Sequence, residues 1–118
     1  MTDYTFVKHV FHTVDNLDSA GFVDFFCETT GLFRFANQPP IQGKEAIETV
    51  VAAFFKSLKT LSHKNLEVWQ VENAIIINGW VTYTRLNNSQ LKIPFSVTLK
   101  LSNGLIQEYL VFMDNSGL

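Results

Sequence analysis

The chain has 118 residues, 47% of them hydrophobic and 11 of them Phe, and a formal charge of −2 from 9 basic and 11 acidic side chains. That is the length of one domain, able to bury roughly two-thirds of its unfolded surface without a disulfide or metal, and its scattered lysines form no basic stripe, which argues against nucleic acid as a partner. The single cysteine, Cys27, excludes an internal disulfide and fits a reducing cytoplasm; the start MTDYTFVKHV lacks the pattern of a signal peptide, and no apolar run approaches the about 18 residues of a membrane span.

Thr2 or Asp3 is the expected cap of a first helix. Its apolar positions, Phe6, Val7, Val10, Phe11, Val14 and Leu17, fall in one arc of roughly 140°. His9 and His12 lie outside that arc and are three residues apart, so no helical metal pair is expected, nor a metal elsewhere. Asp15-Asn16-Leu17-Asp18 breaks the helix. Asp18 or Ser19 caps a second one, with Ala20, Phe22, Val23, Phe26 and Cys27 on one side, and Thr29-Thr30-Gly31 ends it. On that face Cys27 reads as a small buried hydrophobe and not as a nucleophile. Leu32 to Phe35 is a short strand. The next segment, Ala36 to Gly43, contains Pro39 and Pro40 and cannot be helical. A third helix runs from Lys44 to about Thr60 and buries Ala46, Ile47, Val50, Val51, Phe54, Phe55 and Leu58.

After Ser62 the hydrophobic period falls from 3.6 to 2. Strands are expected at Leu66–Val71, Ile75–Leu86, Leu91–Leu101 and Leu105–Met113, joined by turns at Glu72-Asn73, Asn87-Asn88-Ser89 and Ser102-Asn103-Gly104. The third strand alternates most cleanly, with Leu91, Ile93, Phe95, Val97, Leu99 and Leu101 on one side. Helices first and hairpin-linked strands afterwards make one α+β domain over residues 1–118. The last strand is mostly apolar on both faces, Tyr109, Val111 and Met113 against Ile106, Leu110 and Phe112. Its outward face needs a cover, and a second copy of the chain is the simplest one.

Two stretches carry a resemblance. Gln38-Pro39-Pro40-Ile41-Gln42-Gly43-Lys44-Glu45-Ala46-Ile47 is similar to the P–x–x–G–(K/R)–(E/D)–A–I approach to helix three in the SnoaL-like group of the nuclear transport factor 2-like superfamily. Pro94-Phe95 through Asn103-Gly104-Leu105-Ile106-Gln107-Glu108-Tyr109 to Asp114 is similar to that group's final hairpin. The resemblance runs from about Phe6 to Asp114. It implies three N-terminal helices packed in a strongly curved antiparallel sheet, a cystatin-like cone with an internal pocket. It does not imply one activity, because the superfamily hosts isomerases, hydrolases, cyclases, transport adaptors and binders.

The residues on which those activities rest are mostly missing. A ketosteroid isomerase needs a carboxylate base, a Tyr and a protonated acid. The corresponding positions hold the Arg34–Asn37 segment, Val10, and Val97 or Ser96. Limonene-epoxide-hydrolase-like enzymes use an Asp–Arg–Asp relay with a Tyr and an Asn; those positions hold Asn78, Trp80, Val111, Phe33 and Phe35. Cyclases of the SnoaL type use a pocket carboxylate, for which Asp114 is the positional candidate, although strand parity sets it opposite Tyr109, Val111 and Met113. His63 is a second candidate, read as a solvent-facing strand start. Tyr83 and Arg85 share a strand face and suit an acid group or, better, a dimer interface.

The expectation is therefore a homodimeric binder, joined through the outer face of the sheet, of a small and largely apolar molecule. Its expected pocket is lined by Phe33, Phe35, Trp69, Asn78, Trp80, Phe95, Val97, Tyr109 and Val111, with Asn78 as the lone polar anchor, no cofactor and no side chain poised to move a proton. The alternatives are a cyclase- or isomerase-type enzyme using Asp114 or His63, and a protein-interaction module docking through its sheet.

Overall fold

The computed structural model describes residues 3–118. In chain order the elements are α1 (Asp3–Asp15), α2 (Ser19–Val23), β1 (Leu32–Phe35), β2 (Ile41–Gln42), α3 (Lys44–Lys56), β3 (Leu58–Val71), β4 (Ala74–Arg85), β5 (Gln90–Ser102) and β6 (Leu105–Phe112). The architecture is α+β, with few helices packed against a six-stranded curved sheet.

Helix α1 buries Val7, Val10, Phe11 and Val14, the stripe that its 3.6-residue period sets on one side. The cap expected from Thr2 or the Asp3 side chain lies outside the described residues. At the start of α2, Asp18 accepts a hydrogen bond from the Gly21 amide at 2.9 Å. This helix is shorter than its apolar spacing suggests. Phe26 forms a β-bridge with Ile106, and the Cys27 amide donates to the Ile106 carbonyl at 2.9 Å. The strand edge supplies partners that another helical turn would otherwise have to provide.

Two further boundaries depart from the period-based expectation. Ile41-Gln42 pairs with β1 as a two-residue strand inside the segment expected as loop. Helix α3 stops at Lys56, and the chain enters β3 at Leu58, where it pairs with Arg85. The first half of β3 was hidden because its pairing is interrupted between Lys64 and Glu67, where Asn65 takes a positive φ of 56°. A bulge of this kind breaks the alternation of faces that would mark a strand and bends the sheet.

The sheet order is β2-β1-β6-β5-β4-β3. Strands β3 to β6 form an antiparallel meander. β1 lies parallel to β6, from Leu32 opposite Glu108 to Phe35 opposite Val111, so the sheet is mixed and not wholly antiparallel. On its inner face Ile75, Ile77, Val81, Tyr83, Phe95, Val97, Leu99, Tyr109 and Val111 are buried against the helices. At the bend, Gly79 faces the Lys64 carbonyl so closely that an added Cβ would lie 2.9 Å from its oxygen. None of the described helices is long and apolar enough to cross a membrane.

Candidate functional site

Between the inner face of the sheet and the helices lies a hollow of about 50 Å³. It has room for roughly four waters, taking about 10–15 Å³ for each. Phe33 and Phe35 of β1, Phe95 and Val97 of β5, and Tyr109 and Val111 of β6 face it. Val14, Phe22, Val51, Phe54, Phe55, Leu61, His63, Tyr83 and Met113 complete the wall. The rings brace one another: Phe22 and Phe33 lie 5.1 and 5.6 Å from Tyr109, and Phe54 lies 5.9 Å from Tyr83.

Three side chains give this hollow its polarity. His63 on β3 pairs with Val81 and shares its inward face. Its side chain is only 8% exposed, and its Nδ1 lies 2.6 Å from Oδ1 of Asp15, the last residue of α1. The His63 amide donates to Oδ2 of the same carboxylate at 3.3 Å. The imidazole lies against Phe11, centroids 4.4 Å apart, and meets Phe95 edge to face at 5.0 Å. A carboxylate oxygen accepts, so Nδ1 of His63 is the donor to Asp15, and in the neutral form of the ring Nε2 is the acceptor or base. The expectation of a hollow without a proton-accepting group is thereby overturned, as is the solvent-facing placement of His63.

Tyr83 donates to Sδ of Met113 at 3.6 Å. Burial pushes its phenol well above the usual range. Burial pushes Tyr109 up as well, reinforced by Tyr83 and then by the charge of Asp15. Both hydroxyls therefore keep their protons and remain hydrogen-bond donors.

The hollow adjoins a larger apolar recess of about 350 Å³. Gln38, Pro39, Pro40 and Ile41 form one side of this recess, and Val50, Val51 and Phe54 of α3 form the other. Phe33 and Phe35 belong to both spaces. The rings of Phe35 and Phe54, 5.4 Å apart, are the partition. The prolines that exclude helix from the β1–β2 connection thus also build the outer wall of the recess.

Trp69, Asn78 and Trp80 do not join the hollow. Ile75, Ile77, Val81 and Tyr83 occupy the inner face of β4, so the even-numbered Asn78 and Trp80 point the other way. Trp69 pairs with Ile76 and follows it outward. Trp69 and Trp80 are 47% and 41% exposed. Asn78 and Trp80 line a shallow outer groove with Pro94, Ser96 and Phe112. Asn78 Oδ1 is buried there without a hydrogen-bond partner among the described residues. The alternation that separates the two faces was present in β4, but Gly79 dilutes the inner row and Ile76 and Trp80 enrich the outer one.

Three further candidates are placed by position. Tyr83 is buried inside the cone and not at an outer interface. Arg85 donates to Ser89 Oγ at 3.1 Å and to the Gly117 carbonyl. Asp114 is exposed; its Oδ1 accepts from the Ser116 amide at 3.0 Å, and the hydrogen bonds from Ser116 hold its carboxyl below the usual range. Asp15, the partner that orients His63, reads in the sequence only as part of a helix break. The two residues are 48 positions apart, and no local pattern links them.

No family model and no curated protein matches the sequence. Solved structures do match its shape. A ketosteroid isomerase-like-fold protein from Catenulispora acidiphila, in complex with trimethylamine, superposes with a TM-score of 0.84 at 12% identity, covering 93% of this chain and 85% of that one. A candidate polyketide cyclase from Xanthomonas campestris gives 0.81 at 12% identity over 90% and 85%. An NTF2-like protein of unknown function from Burkholderia pseudomallei gives 0.82 at 12% identity over 99% and 95%. At such identities the likeness establishes the fold, which is the NTF2-like, ketosteroid isomerase-like cone.

Proposed function

We propose that the protein binds a small, largely apolar molecule in the hollow of the cone, as a cytoplasmic homodimer joined through the outer face of the sheet. The observation that carries this reading is the apolar hollow behind a two-ring partition, with a second apolar recess on the far side. Swinging Phe35 or Phe54 toward the recess gives a ring-sized ligand both a way in and the room it needs. The trimethylamine complex of the Catenulispora neighbour supports a ligand of a few heavy atoms. Burying one apolar face contributes about 1.5–3 kcal/mol, and one hydrogen bond about 1 more. Affinity is then micromolar at best unless the fit is close. The dimer reading rests on the exposed Trp69, Trp80 and Phe112 on one sheet face.

Native mass spectrometry of the purified protein tests both parts. The expected spectrum holds a dimer carrying a small-molecule adduct that is lost on collisional activation. A monomer with no adduct, and no binding of small aromatic probes by NMR, counts against the whole reading.

One observation favours a second reading, a proton-transfer enzyme of cyclase or isomerase type. His63, oriented by Asp15, sits on the wall of the hollow as a base. In that case Asp114 takes no part. Turnover of a bound carbonyl compound, abolished by His63→Gln and unchanged by Asp114→Asn, distinguishes this reading from simple binding.

A further inference from the structure

We propose that His63, held by Asp15, and the Tyr109 hydroxyl together form a polar end of the hollow that selects a compact apolar molecule bearing a hydroxyl group. The inference rests on the binding reading above and adds the chemical class of the ligand.

Asp15 fixes His63 at two points. One carboxylate oxygen takes the Nδ1 proton at 2.6 Å, and the other accepts the backbone amide of the same residue at 3.3 Å. Phe11 and Phe95 clamp the ring from two further directions. The imidazole therefore has one tautomer and one orientation, and its Nε2 has no hydrogen-bond partner among the described residues. A lone pair so placed accepts from a donor and from nothing else.

Tyr109 supplies the complement. Its hydroxyl also has no hydrogen-bond partner among the described residues, and its side chain lines the same hollow. With its proton retained, it donates. Both side chains line the apolar hollow, where water or a ligand supplies the partner that the protein does not. An alcohol or phenol meets both demands with one oxygen, donating to Nε2 and accepting from Tyr109. An ether or ketone meets only the second, and a hydrocarbon meets neither.

The placement of Asp15 points the same way. The C-terminal end of a helix is a poor place for a carboxylate, because the helix dipole disfavours negative charge there. Lys8, His12 and Lys64 border the outer cleft at which Asp15 is 31% exposed. Neither of the carboxylate's contacts with His63 depends on that solvent-facing side. Asp15 is a positioning residue. It acts on the ligand through the imidazole.

The test begins with nitrogen NMR of the histidine rings in labelled protein. His63 is expected to show a protonated Nδ1 and an unprotonated Nε2; the reverse tautomer, or a doubly protonated ring, overturns the proposal. Phenol, anisole and toluene are then titrated while the methyl signals of Val97 and Val111 are followed. Wild-type protein is expected to bind phenol about tenfold or more tightly than toluene, with anisole in between. His63→Leu should erase most of the preference while toluene still binds. Asp15→Asn, the gentler change, should mix the tautomers and reduce the preference, and it serves if the leucine variant does not fold. Tyr109→Phe should narrow the gap between anisole and toluene. Equal binding of phenol and toluene by wild type overturns the hydroxyl inference and leaves the binding reading standing. Binding of none of the three overturns both.

Discussion

Val97 is 2% exposed and its methyl groups face the hollow, so Val97→Ile adds one methylene to space that the fold leaves empty. At about 24 cal/mol per Å³, an empty space of about 50 Å³ represents roughly 1.2 kcal/mol of forgone packing. One buried methylene recovers at most about 0.8 kcal/mol of that. Unfolding entropy near 2.1 cal/mol/K per residue gives about 0.25 kcal/mol/K for a chain of 118 residues, so Tm should rise by roughly 2–3 °C. The same methylene occupies the ligand's place, so phenol affinity should fall about tenfold. Calorimetry and urea unfolding, run at one fixed protein concentration because the proposed dimer would add to apparent stability, read the first effect. NMR titration reads the second. A fall in Tm of several degrees would mean that the space is already filled and the new group is strained. A higher Tm with unchanged phenol affinity would place the ligand elsewhere.

Phe54→Ala removes half of the partition. It should cost about 2 kcal/mol in urea unfolding for a side chain only partly buried, and it should admit 2-naphthol, which wild type should bind more weakly. Trp80→Glu sets a charge in the outer groove that Phe112 also lines, and sedimentation should show the proposed dimer shifting to monomer with the hollow's phenol binding kept. Gly43 holds φ at 92° at the threshold of α3; Gly43→Ala should lower stability by about 1 kcal/mol or more, since an L side chain there is strained. Asp114 should titrate below the usual carboxylate range by carbon-detected NMR, because Ser116 favours the charged form. Its small contribution to stability is present above the unfolded carboxyl value and fades as pH drops through the folded one.

The helical stripe of α1, the proline-barred loop and the alternating β5 were legible because each is a local pattern. Period, donor loss and parity act within a few residues, whatever the rest of the chain does. On that basis Phe33 and Phe35, Phe95 and Val97, and Tyr109 and Val111 could each be set on one strand face, and the resemblance to a cone with a pocket made those faces its expected lining. The end of α2 and the start of β3 could not be assigned. Ile106 captures the Phe25–Cys27 backbone, and Arg85 starts a strand at Leu58 just beyond α3, both through partners distant in sequence.

The meeting of Asp15 with His63 belongs to that second kind. A carboxylate in a helix break and a histidine at an unclear strand start are each unremarkable in sequence. Only the curl of β3 over the end of α1 brings their atoms to 2.6 Å and turns the imidazole toward the hollow. Which face of β4 looks inward was likewise decided by pairing with its neighbours, and that choice sent Trp80 and Asn78 out and Tyr83 in. Composition and periodicity thus determined the apolar helix stripes and strand faces of an α+β domain, and the resemblance of two stretches implied the cone. The long-range register of its strands decided which polar atoms stand inside it, because hydrogen-bonded pairing, and not local preference, fixes the direction in which a strand side chain points.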